Sequence, residues 1–467
     1  MWQPQRPEAR PALVMPAVLL LAAGLLAYAN AFRGGFQFDD WNVIVQDPRV
    51  QSLAAWRESM PGIRPLLKLS YALNHASGLG LAGFHALNLG IHLANGLLLL
   101  ALLRRWGGPL PGSSVVAATV AALLFVLHPV QTEAVTYLSG RSTSLAALFG
   151  LSSLLAWVEG RRQQRAWLAQ VLSPLLFACA LATRETAAVL PLALLLWRET
   201  ADGGGSGSLA SGLRATAVHW GVLLLAAAAA WLLPEYRHFF TTSLEARPLA
   251  AQLASQVNAV AWLAGQLLRI DRLNADPMLP VPTGATPGLV IAGLVLAMAL
   301  LCGLFSLRRR PVLAFGLLWF FLWLAPTNSL LPRLDVANDR QLYLALAGPA
   351  WLAGVAVAWL WSRRRASALL ATAVVATGLL LATVARNRVY ESETIFWIDV
   401  VAKTPGNSRA WNNLGHALAL AGKPAAAERA LRAALAVDPG NYRAAMNLAL
   451  LRAGALGPAM PGQPRNF

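Results

Sequence analysis

Charge is what this chain has least of. Only 13% of its 467 residues are charged, about half the share of an average soluble protein. Acidic groups are scarcest: 21 Asp and Glu stand against 38 Lys and Arg, a net charge of +17. The long apolar runs are nearly free of Asp and Glu, which argues against a carrier with a charged path through a bilayer. Cysteine is almost missing. Cys179 and Cys302 both fall in apolar runs, so they read as packing residues and leave the redox compartment open. The first apolar run has no clear small-residue cleavage site after it and reads as a retained anchor.

What the chain does have is apolar length. Hydrophobic residues make up 57% and the mean hydropathy is +0.52. Repeated runs near the bilayer-spanning length of about 20 residues imply an all-α, polytopic helical membrane protein. Much of the positive excess sits between the runs: Arg104-Arg105, Arg161-Arg162 with Arg165, Arg308-Arg309-Arg310 and Arg363-Arg364-Arg365. Short basic loops of this kind hold their side of the membrane in the cytoplasm, so no nucleic-acid partner is read from the charge.

With Arg6 and Arg10 inside, spans are expected at about 11–32, 84–103, 114–127 and 142–158. The run 166–197 is too long for one crossing and is broken by Arg184-Glu185, so it reads as two spans with a tight external turn. Further spans are expected at about 214–233, 287–307, 311–325, 343–361 and 366–385, about 11 crossings in all. The run 249–270 carries Gln252, Gln256, Asn258 and Gln266. If it crossed, the Arg308 cluster would fall outside, so it is expected to lie along the external interface or re-enter. The glycine-serine stretch from Gly203 to Ser208 reads as an internal linker.

Beyond residue 385 the composition changes. Glu393, Trp397, Val400 and Pro405 recur 34 residues later as Ala427, Leu431, Ala434 and Pro439, and Gly406-Asn407 recurs as Gly440-Asn441. Trp411, Leu414, Gly415 and Leu418 complete a tetratricopeptide pattern. The expected organisation is a membrane domain over 1–385 with a first external loop at about 33–82, a short repeat domain over 386–456, and a flexible tail over 457–467. An array this short is expected to lean on the membrane domain or a partner. It is either a packing cap or a polypeptide-binding surface.

The chemistry is expected outside. Asp39 and Asp40 lie just past the first span, flanked by Phe38 and Trp41, and an acidic pair beside a bilayer is costly to keep without a use. The same side is expected to hold Arg64, Lys68, His75, His128, Glu133, Arg141, Arg184, Glu185, Arg333, Asp335, Asp339 and Arg340. A carboxylate can take a proton from a hydroxyl, and arginines with a lysine can hold a phosphate. Plainer roles stand beside each. Asp39-Asp40 can cap a helix, His128-Pro129 can start one, Arg184-Glu185 can be a local ion pair, and Arg64 with Lys68 can meet lipid headgroups. Paired carboxylates also suit a divalent ion, so a metal is left open.

Four segments carry a resemblance: Phe38-Asp39-Asp40-Trp41-Asn42, Arg64-Pro65-Leu66, Phe84-His85-Ala86-Leu87-Asn88-Leu89-Gly90-Ile91-His92 and His128-Pro129-Val130-Gln131-Thr132-Glu133-Ala134-Val135. Arg184-Glu185-Thr186, Pro326-Thr327-Asn328-Ser329-Leu330-Leu331-Pro332 and Asp339-Arg340-Gln341-Leu342-Tyr343-Leu344 agree with them. Together they resemble the transmembrane and tetratricopeptide-repeat O-mannosyltransferase family and its bacterial relatives. The resemblance implies a GT-C glycosyltransferase fold, a polyprenyl-phosphate sugar donor and a site at the external face of a bacterial inner membrane. By that resemblance Asp39 would be the catalytic base or acceptor-orienting group, with Asp40 its neighbour. His128, Glu133 and Arg141 would belong to the second external loop, and Arg184 and Arg340, joined by Arg64 and Lys68, would hold the donor phosphate. The implied acceptor is a Ser or Thr hydroxyl of an exported polypeptide. The repeat is far shorter than in animal members, and a non-catalytic membrane scaffold that docks partners through it is the rival reading.

Overall fold

The computed structural model describes residues 11–458, except 109, 111, 203–207, 283, 330, 331 and 334. Arg6, Arg10, most of the glycine-serine linker, Leu330-Leu331 and the tail beyond 458 lie outside the described residues. Among the described residues the secondary structure is helical throughout, with no strand. The protein is an integral membrane protein, as its apolar helices require.

A helix stands at each of the expected crossings. These are α1 (Pro11–Tyr28), α2 (Gly80–Leu103), α3 (Ser114–Leu127), α4 (Arg141–Arg162), α5 (Ser173–Thr183), α6 (Leu190–Thr200) and α7 (Ala217–Leu232). After α8 (Leu249–Gln266) come α9 (Pro287–Ser306), α10 (Pro311–Leu324), α11 (Ala347–Arg363) and α12 (Arg365–Asn387). Five segments are long and apolar enough to cross alone, and three bent pairs raise this to 8. The segment 168–183 and α10 are apolar but shorter. The helix α6 has only 11 residues, so it makes a crossing only where the protein thins the bilayer or covers its ends.

Polar contacts sort the helix ends into two faces. At one, Arg105 pairs with Glu159, Arg162 donates to Arg105 O, and the Gly107 amide donates to Ala201 O. The Arg161–Asp202 pair lies there too. At the other face the segments near 40, 137, 185 and 340 meet. The helix α8 belongs to that second face. Near its start Gln252 donates to Ser329 O, and at its end Gln266 reaches Asp339, so both ends touch the same 326–341 loop. Its glutamines are the buried side of a helix lying along the protein mouth.

Between the faces the core is apolar and tightly crossed. A Cβ on Gly354 of α11 would stand 2.2 Å from Ala117 O of α3, and one on Gly348 2.3 Å from Gly316 O of α10. Small residues let these backbones touch, the usual device where lipid gives no hydrophobic drive between helices. The outermost helix is α9: Ile291, Leu294, Met298, Leu301 and Phe305 remain exposed, as lipid contact demands.

Past α12 come α13 (Glu393–Lys403), α14 (Ser408–Leu420), α15 (Pro424–Val437) and α16 (Tyr442–Arg452). A Cβ on Gly415 would meet Leu431 at 2.6 Å, so α14 and α15 pack with their axes close. Asn407 and Asn441 cap α14 and α16 by accepting from the amides of Ala410 and Ala444. This unit sits on loops of the second face. Arg409 pairs with Asp276 and Asp335, Asn274 donates to Thr404 Oγ1, and Lys403 donates to Leu273 O.

Candidate functional site: an acid beside an arginine cluster

The turn after α1 brings Asp39 and Asp40 to different places. Asp39 is half-buried and lines a narrow cleft with Glu133, Tyr137, Asn338, Arg340 and Phe396. Its backbone N–H donates to the Tyr137 hydroxyl at 3.0 Å. Burial raises its pKa above the ordinary aspartate value, opposed by the nearby Arg340 charge and by Tyr137.

Asp40 points inward. It is fully buried, and its two oxygens accept from the backbone N–H groups of Gln37 at 2.9 Å and Ser139 at 2.7 Å. Burial pushes it up to about 7 against those two donors. Both oxygens are used to tie the turn near 40 to the segment at 139, so Asp40, expected at the site, holds the loop and does not line the cleft.

Arg340 is the hub. Its backbone N–H donates to Glu133 Oε2 at 3.0 Å and its Nε lies 3.6 Å from Glu133 Oε1, too long for a hydrogen bond. The guanidinium lies over the Tyr137 ring at 5.9 Å. It also lines a neighbouring narrow cleft with Arg184, Thr143, Thr186, Thr327 and Gln341. Arg184 is held there by Ser142 and Thr143. Arg333 faces the same charges: burial first, then Arg340 and Arg64, push it down to about 10. Arg184 is likewise held low by burial and by Arg64, Arg340 and Arg333. The Nε of Arg340, Nη1 of Arg333 and both side-chain polar atoms of Gln341 are buried without a hydrogen-bond partner. Like charges gathered with donors to spare form a site for an anion.

Other expected members stand elsewhere or are already occupied. Arg64 closes its fork on Glu185, with contacts of 2.8–3.1 Å, and Tyr236 donates to the same carboxylate at 2.9 Å. Burial would raise Glu185, but Arg64 holds it down to about 2. Arg64 thus borders the cluster with its charge balanced. Lys68 is one turn further on, among Arg49, Asp47 and Glu235. His128 accepts from Val130 N–H and bonds Leu267 O, which makes it a cap and a tether to α8. Arg141 is fully buried, bonded to Asn88, Ser70 and Phe84, with its guanidinium over Tyr71 and Phe84. His75 packs on Phe84. Asp339 accepts from Asn274 N–H and Gln266 and braces α8. Arg141, Asp339 and His128, expected at the site, are buried on structural partners instead.

The sequence reading did not place Tyr137, Thr143, Thr186, Thr327, Gln341 or Phe396 at the site. Thr186, Thr327 and Gln341 lay in segments that carry the resemblance without being assigned a role, and Tyr137 is an aromatic hydroxyl four residues past Glu133. Among the described residues no group of three or more His, Cys, Asp or Glu side chains comes together as a metal-ligand set.

Comparison with known proteins finds similarity to one group of curated proteins. Mouse protein O-mannosyl-transferase TMTC3 is 24% identical over an alignment of 463 residues, taking in 86% of this chain and 48% of that protein. Mouse TMTC4 is 30% identical over 181 residues (33% of this chain, 24% of the relative), and mouse TMTC1 34% over 158 residues (30% and 16%). The chain is similar to the TMTC protein O-mannosyl-transferases. It spans less than half the length of each of these TMTC proteins. No family model matches it. The first-loop acid, the second-loop Glu133 and the late-loop Arg340, the segments that carry the resemblance to the TMTC proteins, meet in one place.

Proposed function

We propose that this chain is a membrane glycosyltransferase that moves a sugar, mannose or a close analogue, from a polyprenyl-phosphate donor to a Ser or Thr hydroxyl of an exported polypeptide. The reaction takes place at the external face of a bacterial inner membrane. The observation that carries the reading is the half-buried Asp39 in one cleft with Arg340, whose buried Nε has no hydrogen-bond partner and which lines the neighbouring cleft with Arg184. Asp39 accepts the proton of the acceptor hydroxyl as its oxygen bonds to the anomeric carbon. The bond from that carbon to the phosphate oxygen breaks, its electron pair leaves with the phosphate, and the configuration inverts. The arginines meet the negative charge where it grows, which is where fixed positive charge lowers a barrier most.

A lipid-linked donor has further support. An apolar groove of about 410 Å³ runs between α5 and α7, walled by Ala178, Ala182, Leu223, Ala226 and Ala230. Its polar end is Glu185 with Tyr236, beside the arginine cluster.

The test is sugar transfer in membranes by Asp39→Asn and Arg340→Ala. Removing the base is expected to lower kcat about 10²- to 10⁴-fold, and removing the arginine about 10²- to 10³-fold. Full transfer by both variants, with loss only on deleting 393–452, would move the protein to the scaffold reading.

A further inference from the structure

The C-terminal helical unit grips the residues on either side of Asp39. Glu393, the first residue of α13, accepts at one oxygen from the Phe38 backbone N–H and from the Trp41 indole N–H, both at 3.1 Å. The same carboxylate thus brackets Asp39-Asp40. Gln37 donates to Tyr390 O at 3.1 Å. The Phe38 ring stands edge-on to Trp397 of α13, centroids 5.2 Å apart at 90°, and lies under Arg409 of α14 at 6.0 Å. Phe38 itself has φ 41°, the left-handed region that a bulky residue adopts only when its surroundings impose it. Phe396 of α13 forms one wall of the Asp39 cleft.

We propose that Glu393 and Trp397 are positioning residues: the C-terminal unit holds the left-handed turn at Phe38 and thereby aims Asp39 into the cleft. The inference rests on the reading of Asp39 as the base. It gives the repeat-like unit a role in catalysis within its own chain, ahead of any role in recognising partners. Glu393 supplies the acceptor and Trp397 the surface for the Phe38 ring. Both act on the turn that carries Asp39, so the clamp is expected to bear on the base and not on donor binding.

The experiment uses full-length protein in detergent or nanodiscs, with Glu393→Ala, Glu393→Gln, Trp397→Ala and, as a distal control on α16, Arg452→Ala. Hydrogen exchange of the peptide covering 36–45 reads the clamp without activity. Sugar transfer reads kcat and the donor KM. Glu393→Ala and Trp397→Ala are expected to speed exchange at 36–45 at least tenfold and lower kcat at least tenfold, with the donor KM within twofold. Glu393→Gln keeps an acceptor oxygen and is expected to stay within about threefold of the parent in both. Arg452→Ala leaves both unchanged. Unaltered exchange and kcat in Glu393→Ala and Trp397→Ala overturns the proposal. So does a kcat loss accompanied by a matching rise in donor KM and exchange throughout the chain, which is unfolding. Faster exchange with undiminished kcat removes the catalytic role. Failure of the base reading itself shows separately, as full activity in Asp39→Asn with the exchange effect of Glu393→Ala intact.

Discussion

Asp39 and Asp40 are adjacent in sequence and opposite in fate, and their substitutions separate chemistry from scaffolding. Asp40→Asn replaces one of two oxygens that each receive a backbone N–H with an amide that cannot accept. A buried donor left unmatched costs about 1–3 kcal/mol, so this variant is expected to melt earlier in detergent while Asp39→Asn does not. The pH dependence belongs to Asp39. A base must be ionised to act, and burial raises its pKa above the ordinary aspartate value, so the acid limb of kcat lies above that value. The Arg340 charge opposes the rise, since it favours the carboxylate. In Arg340→Gln the limb is expected to move to higher pH, and a pH–rate profile that stays fixed would sever Asp39 from Arg340. The charged members of the site were visible in the sequence because charge is scarce in this chain and lies outside the apolar runs: Asp39, Glu133, Arg184 and Arg340 stood out. Their sorting was not. Whether Arg141 faces water or Asn88, or whether Asp40 faces a cleft or Ser139 N–H, depends on partners 53 and 99 residues away, and local pattern holds no record of them.

At the scale of elements, hydropathy located the helices well and said little about how they touch. Helices such as α3 and α10 read clearly as apolar runs of 14 residues. Nothing in those runs marks Gly354 as the point where α11 meets the α3 backbone, or distinguishes it from Gly378 on α12, around which a Cβ finds nothing within 4 Å. The contrast makes a paired test. In Gly354→Ala the new methyl meets a carbonyl 2.2 Å away, a backbone atom that cannot swing aside. The helices must part, at a cost of about 1–3 kcal/mol. In Gly378→Ala the methyl has room and the helix gains about 0.5–1 kcal/mol of backbone preference. Thermal melting in one detergent is expected to move down for the first and stay level or rise for the second. A similar response from both would mean that α11 and α3 are not in backbone contact. The helix α8 shows the same division. Its glutamines spoke against a crossing, but the partners that explain them, Ser329, Asn328 and Asp339, come from a loop of irregular backbone that hydropathy leaves blank.

For the whole molecule the decisive property is which face looks out. The expected order has α1 to α7 crossing in turn, α8 lying on the site face, and α9 to α12 crossing again. In that order Arg104-Arg105, Arg161-Arg162, Arg308-Arg309-Arg310 and Arg363-Arg364-Arg365 fall on the face away from Asp39. Basic loops near spans are retained in the cytoplasm, so the acid, the arginine cluster and the C-terminal unit should all be external. In a background with Cys179 and Cys302 replaced by alanine, single cysteines at Ser52 and Asp271 report the site face and one at Gln163 reports the other; all three positions are exposed. An impermeant maleimide added to intact cells is expected to label the first two at once and Gln163→Cys only after permeabilisation. The reverse pattern would put the arginine cluster inside, where an exported acceptor cannot meet Asp39, and the proposed reaction would fail whatever the merits of the site's geometry. Equal labelling of all three before permeabilisation would mean that the alternation itself is broken, and the short helix α6 is where it would break.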